Sequence, residues 1–237
     1  MAINASADSG STAEESNDVF ELSLLTDSII GGAGISLFTA GLLFKVGAVP
    51  LAELPDITAL PAIDAFVPIQ FSSGIDFAST AGEFTALLMP GILVFGQSGS
   101  EILELGVMYL ESLFLANGIK DSIKGLFPRY RPYMYGSDPP SELLEDDDRY
   151  FSFPSGHTTI AFTGASFLSY VFLKLHPDSP LRLPVVAGGI TVAAATAAFR
   201  VLSAQHFVTD VITGAVIGSI CGIIVPLFHH IGSDRTD

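Results

Sequence analysis

Six stretches of this chain are apolar over roughly the length of a membrane crossing and carry very few charges. They run from about Ser28 to Val49, Ala81 to Gly96, Ile102 to Ile119, Thr159 to Leu173, Leu183 to Leu202 and Phe207 to Phe228. A spanning helix needs roughly 20 predominantly apolar residues. The second block is the weakest candidate: it is short, holds Glu83 and Pro90, and must reach from Ala78 to Gln97 to qualify. The expected fold is therefore all-α, a polytopic membrane helical bundle with about six transmembrane helices. A mean hydropathy of +0.53 agrees.

The charges lie where such a bundle tolerates them. Net charge is -15, with the carboxylates mainly in the N-terminal tail, between Glu53 and Glu83, and from Glu142 to Asp148. A nucleic-acid partner is not expected from that balance. The single cysteine, Cys221, lies within an apolar run, so no disulfide forms inside the chain. No lysine or arginine precedes Lys45, so the basic start of a secretory signal is missing. Residues 1–22 read as an acidic, solvated tail, 23–232 as one six-span domain, and 233–237 as a C-terminal tail. Within the domain, 50–80 is expected as an interfacial loop interrupted by prolines, and 133–153 as a loop over the functional face.

Small residues mark close helix contacts. Gly31, Gly32, Gly34 and Gly41 lie in the first span, and Gly214, Gly218 and Gly222 repeat every four residues in the last. Glu104 and Glu111 are seven apart, so one face of the third span carries both and should point into the bundle. Intramembrane carboxylates are functional candidates. Their distance from the basic cluster that follows favours a structural role, bonding hydroxyls of neighbouring helices. The run Glu145-Asp146-Asp147-Asp148 could hold a divalent cation, but an unspaced acidic run is more readily a solvated loop.

Three segments carry chemistry. In Phe153-Pro154-Ser155-Gly156-His157-Thr158, Ser155 suits a helix N-cap, and the free N–H groups of a helix start bind phosphate. Gly156 lets a phosphoryl oxygen approach, and His157 titrates near neutrality and can deliver a proton. Taken alone, the same residues also describe a Pro-Ser-Gly turn with a surface histidine. Four of the ten basic residues, Lys120, Lys124, Arg129 and Arg131, cluster before Pro132. A positive helix end commonly only anchors to head groups. His206 and Asp210 are four apart, which on a helix places a carboxylate against an imidazole and prepares a nucleophile or base. A buried His-Asp pair joining two helices is the structural alternative. Six spans bring all three segments, with Arg200, to one face.

Together these segments resemble the type-2 phosphatidic acid phosphatases, whose relatives include bacterial acid phosphatases and vanadium haloperoxidases. Lys124 through Arg131-Pro132 matches that family's Lys, six residues, Arg-Pro pattern, and Pro154 to His157 matches its Pro-Ser-Gly-His. Arg200, His206 and Asp210 match the third element, with Phe199 where serine is usual. The first hundred residues match only in hydropathy.

The resemblance implies an integral-membrane, metal-independent phosphatase acting on lipid phosphate monoesters or diphosphates from the bilayer, without a cofactor. His206 would attack phosphorus to form a phosphohistidine, Asp210 would orient it, and His157 would protonate the leaving group. Lys124, Arg131, Ser155, Gly156 and Arg200 would hold the phosphate. Lys120 and Arg129 are assigned to anchoring. Vanadate-dependent halide oxidation is a rival for the same site, but the haloperoxidase relatives are soluble. A six-helix transporter or lipid-anion-binding protein explains the cations and not the His206 to Asp210 spacing. With site residues set aside, Lys45, Lys120, Arg129 and Arg149 oppose Lys174, Arg182 and Arg235, a balance that does not orient the chain. A cell-membrane location with the site facing outward follows from resemblance only.

Overall fold

A computed structural model describes residues 19–48 and 53–231. Among these residues the α-helices are, in order, α1 (Leu24–Gly47), α2 (Ser73–Leu88), α3 (Gly99–Leu126), α4 (Ser141–Glu145), α5 (Gly156–Leu175), α6 (Arg182–Leu202) and α7 (Val208–His229). All but α4 are long and apolar enough to cross a bilayer, α2 being counted with the 3-10 turns that continue it to Val94. The chain is a multi-pass membrane protein of all-α class. Most of the expected N-terminal tail, and the C-terminal tail, lie outside the described residues.

Helix α5 is the hub, packing against α2, α3, α6 and α7, while α1 lies along α3. Small residues permit this. A Cβ added at Gly214 would stand 2.6 Å from the Ser155 carbonyl oxygen, and one at Gly222 would stand 2.5 Å from that of Thr163, so the α7 stripe meets the α5 backbone directly. Gly118 of α3 does the same against Leu37 and Phe38 of α1, at 2.7 Å. An apolar core of Phe20, Leu93, Leu105, Met108, Phe167, Leu168, Val171 and Val225 fills one end of the bundle. Polar residues gather at the other end, where α3 finishes and α5 and α7 begin.

Several boundaries differ from expectation for identifiable reasons. Helix α2 starts at Ser73 rather than Ala81, because Asp76, Ser79, Thr80 and Glu83 turn inward and depress its hydropathy. At Met89 it tightens to a 3-10 helix that accommodates Pro90. Helix α3 runs on to Leu126, so Lys120 and Lys124 are helical residues and not a flanking loop. Phe20 is only 3% exposed, and the Glu21 N–H donates to the His229 carbonyl at 2.9 Å, so Phe20 and Glu21 pack on the bundle, contrary to the solvated tail expected over 1–22. The loop expected at 50–80 also proves partly internal, since Asp64 is buried.

Candidate active site

The polar end of the bundle encloses a cavity of about 210 Å³ lined by Lys124, Arg131, Gly156, His157, Arg200 and His206, with Lys45, Glu83, Lys120 and Asp148 among its other walls. Five segments supply the first six of these groups: α3, the loop after it, α5, α6 and the turn between α6 and α7. Lys124 comes from the last turn of α3 and donates to the Phe151 carbonyl. Arg131 follows in the loop. Its guanidinium donates to the Gln205 carbonyl and side-chain oxygen, both at 3.0 Å, and pairs with the Asp148 carboxylate. The loop that carries Arg131 is zipped to its own far end, Arg129 N–H to the Tyr150 carbonyl at 2.7 Å and Ser152 N–H to the Arg129 carbonyl at 2.9 Å.

Ser155 caps α5 as its sequence context suggests. Its hydroxyl accepts from the Thr158 N–H at 3.4 Å and from the Thr158 hydroxyl at 3.0 Å. The helix start beside the cavity therefore presents the Gly156 end of α5, where backbone N–H groups have no intrahelical acceptor. His157, in the first turn, places Nε2 3.2 Å from Glu83 Oε2 and 3.3 Å from Thr80 Oγ1. Arg200, buried near the end of α6, pairs with Asp76 and donates to Ser79 Oγ at 3.1 Å. Its Nε has no hydrogen-bond partner among the described residues.

His206 is not on a helix, so its four-residue spacing to Asp210 is not a helical one. It sits in the turn between α6 and α7, where Ala204 adopts a left-handed φ of 62° and the His206 N–H donates to the Arg200 carbonyl at 3.1 Å. Helix α7 begins only at Val208, because Asp210 in its first turn accepts from the Phe207 N–H at 2.8 Å. The carboxylate is otherwise held by the Ser152 hydroxyl at 2.5 Å and by Arg129 at 2.6 Å. Nδ1 of His206 stands 3.5 Å from Asp210 Oδ2, close enough for its charge to act and longer than a hydrogen bond. Such contacts commonly tighten only when substrate is bound. Nε2 lies 3.1 Å from Arg131 on the cavity side. Burial, with the Arg131, Arg200 and Lys124 cations next, holds His206 well below the ordinary histidine range, so the ring is a neutral imidazole.

A sequence profile of the PAP2 superfamily matches residues 105–232, more than half of the chain. The chain belongs to that superfamily. A PA-phosphatase related-family protein of Dictyostelium discoideum is 33% identical over 114 residues, 44% of this chain and 41% of that protein. The chain thus spans about two fifths of the curated relative it matches. A transmembrane PAP2-type phosphatidylglycerolphosphate phosphatase from Bacillus subtilis superposes with a TM-score of 0.42 at 20% identity, over 83% of this chain and 95% of that one.

The superfamily match begins in α3, so α1 and α2 lie outside it. Sequence reasoning overlooked what these segments contribute. Glu83 and Asp76, on α2, face His157 and Arg200. Asp64 accepts from Arg129 at 2.8 Å and from the Thr209 N–H at 3.0 Å. Arg129 is consequently no head-group anchor. Its guanidinium joins Asp64 to Asp210 and lies 4.1 Å over the Phe207 ring. Lys120 also lines the cavity, donating to Asn117 Oδ1 at 2.9 Å. Within the acidic run, Asp148 is not simply solvated: burial would raise its carboxyl, but Arg131 and Lys124 bring it down to about 2. An isolated acid in a proline-rich or acidic loop has no periodicity to betray its partner.

Proposed function

We propose that this chain is a membrane phosphatase hydrolysing lipid phosphate monoesters or diphosphates through a phosphohistidine, with lipid drawn from the surrounding bilayer. The observation that carries this reading is one cavity walled by Lys124, Arg131 and Arg200 with His206 Nε2 at its side. A binder of lipid anions needs the cations. It does not need a neutral imidazole beside a buried carboxylate, in a strained turn.

In the proposed reaction, Nε2 of His206 attacks phosphorus in line while the bond to the lipid oxygen breaks. Three cations and the α5 N–H groups at Gly156 offset charge on the equatorial oxygens. His157, held by Glu83, gives its proton to the departing oxygen and then takes one from the water that cleaves the phosphorus–nitrogen bond. Asp210 stabilises the imidazole as it becomes cationic. Metal ions have no step in this scheme.

The test is phosphate release from a panel of lipid mono- and diphosphates by detergent-purified protein in EDTA. Wild type should turn over, and His206→Ala should lose at least about 10³-fold in kcat, as removal of a covalent nucleophile does. Equal lipid binding by both proteins with no release from either would favour the lipid-anion binder.

A further inference from the structure

At the far end of the bundle three helices converge a set of donors that the proposed hydrolysis does not use. Asp27 lies in the first turn of α1, Glu111 midway along α3 and His229 in the last turn of α7. His229 Nε2 is 2.8 Å from Asp27 Oδ1 and 3.6 Å from Glu111 Oε2, and the three ligating atoms all lie within 4.8 Å of one another. Glu111 and His229 are 7% and 3% exposed, while Asp27 is partly open. Glu111 Oε2 is buried and has no hydrogen-bond partner among the described residues. Gly31 of α1 lies beside it: a Cβ there would stand 3.4 Å from Glu111 Oε1, an ordinary contact distance.

The other ring nitrogen decides what this cluster can hold. His229 Nδ1 lies 2.9 Å from the Val225 carbonyl, which can only accept, so Nδ1 carries a hydrogen and Nε2 faces two carboxylates. A proton on Nε2 would leave one negative charge uncompensated in a low-dielectric setting, which is costly. A divalent ion on a neutral imidazole and two carboxylates leaves none, and it engages the unpartnered oxygen. A histidine fixed through its distal N–H to a backbone carbonyl is how metal-ligating imidazoles are held. Around Zn²⁺ at its usual bond lengths, tetrahedral ligands stand about 3.4 Å apart, within the range these atoms span.

We infer that Asp27, Glu111 and His229 form a structural site for a divalent transition-metal ion of the Zn²⁺ or Mn²⁺ kind, tying α1 to α3 and α7. The helices involved are otherwise tied unevenly, since α1 packs chiefly on α3 and touches α7 little. Water completes the coordination on the Asp27 side, where the site is partly open.

The test uses the whole chain in detergent, purified without a histidine tag, stripped with chelator and titrated with Zn²⁺ and Mn²⁺ separately. One ion should bind per chain by elemental analysis and calorimetry, and should raise the thermal midpoint. Glu111→Gln and His229→Gln should each weaken binding at least about tenfold. His230→Ala and His176→Ala, near the same end, should leave it intact. Chelation should lower the thermal midpoint while initial phosphatase rates at low temperature persist, so failure of the hydrolysis reading and failure of the metal site are read separately. No saturable ion in wild type, or binding unchanged by both ligand variants, would overturn the site and leave the cluster holding protons.

Discussion

Arg129 sits between two carboxylates whose side chains are wholly buried, those of Asp64 and Asp210. Removing one member of such a group strands the others, at a cost of about 3–5 kcal/mol. Arg129→Gln should therefore lower the unfolding midpoint sharply, and Asp64→Asn added to it should recover part of the loss; equal midpoints for the single and double variants would refute the network. A second expectation concerns pH. Burial and then the Arg131 cation depress His206, so the native ring stays neutral where an unfolded histidine, titrating near about 6.5, takes a proton. The unfolded state then binds more protons, and this contribution to stability, full above that value, is lost as pH falls below it. Thermal midpoints should decline between about pH 7 and about pH 5 more steeply in wild type than in His206→Asn. The fixed spacings made Lys124, Arg131, His157, Arg200, His206 and Asp210 visible in the sequence. Asp64, Asp76, Glu83 and Arg129 were not, because each acts only through a partner tens of residues away.

At the scale of helices, the cavity end is set by how closely α7 approaches α5. Gly214 faces the Ser155 carbonyl, and the Ser155 N–H donates to the Asp210 carbonyl at 3.1 Å, so α5 and α7 begin against each other. In Gly214→Ala the new methyl must displace backbone. Overpacking of this kind costs about 1–3 kcal/mol, and here the shift falls between His157 and Asp210. Gly214→Ala should lose activity as well as stability, whereas Gly32→Ala, where a Cβ meets nothing within 4 Å, should change neither. Parallel assays of turnover and thermal midpoint decide this, and equal effects at both positions would sink the packing account. The four-residue glycine repeat made this contact legible from sequence. The true start of α2 was not, since hydropathy averages away a helix whose inner face serves a polar cavity.

For the molecule as a whole, orientation follows from which cations are left to meet the membrane surface. Lys120 and Arg129 belong with the cavity groups and not with the anchors, by the same criterion that set aside Lys124, Arg131 and Arg200. Lys45, another cavity wall, goes with them, so the cavity face keeps Arg149 against Lys174, Arg182 and Arg235, the last counted from sequence. The excess moves to the far face, and by the positive-inside rule we propose that this face is the cytoplasmic one. An outward cavity would also receive lipid from the outer leaflet. We therefore expect Ser141→Cys, in the exposed α4 turn and in a Cys221→Ser background, to react with impermeant maleimide added outside intact cells. Asp178→Cys, exposed in the connector before α6, should react only after the cells are opened. The reverse pattern would place the cavity in the cytoplasm and turn the substrate search to inner-leaflet lipids, without touching the chemistry assigned to His206.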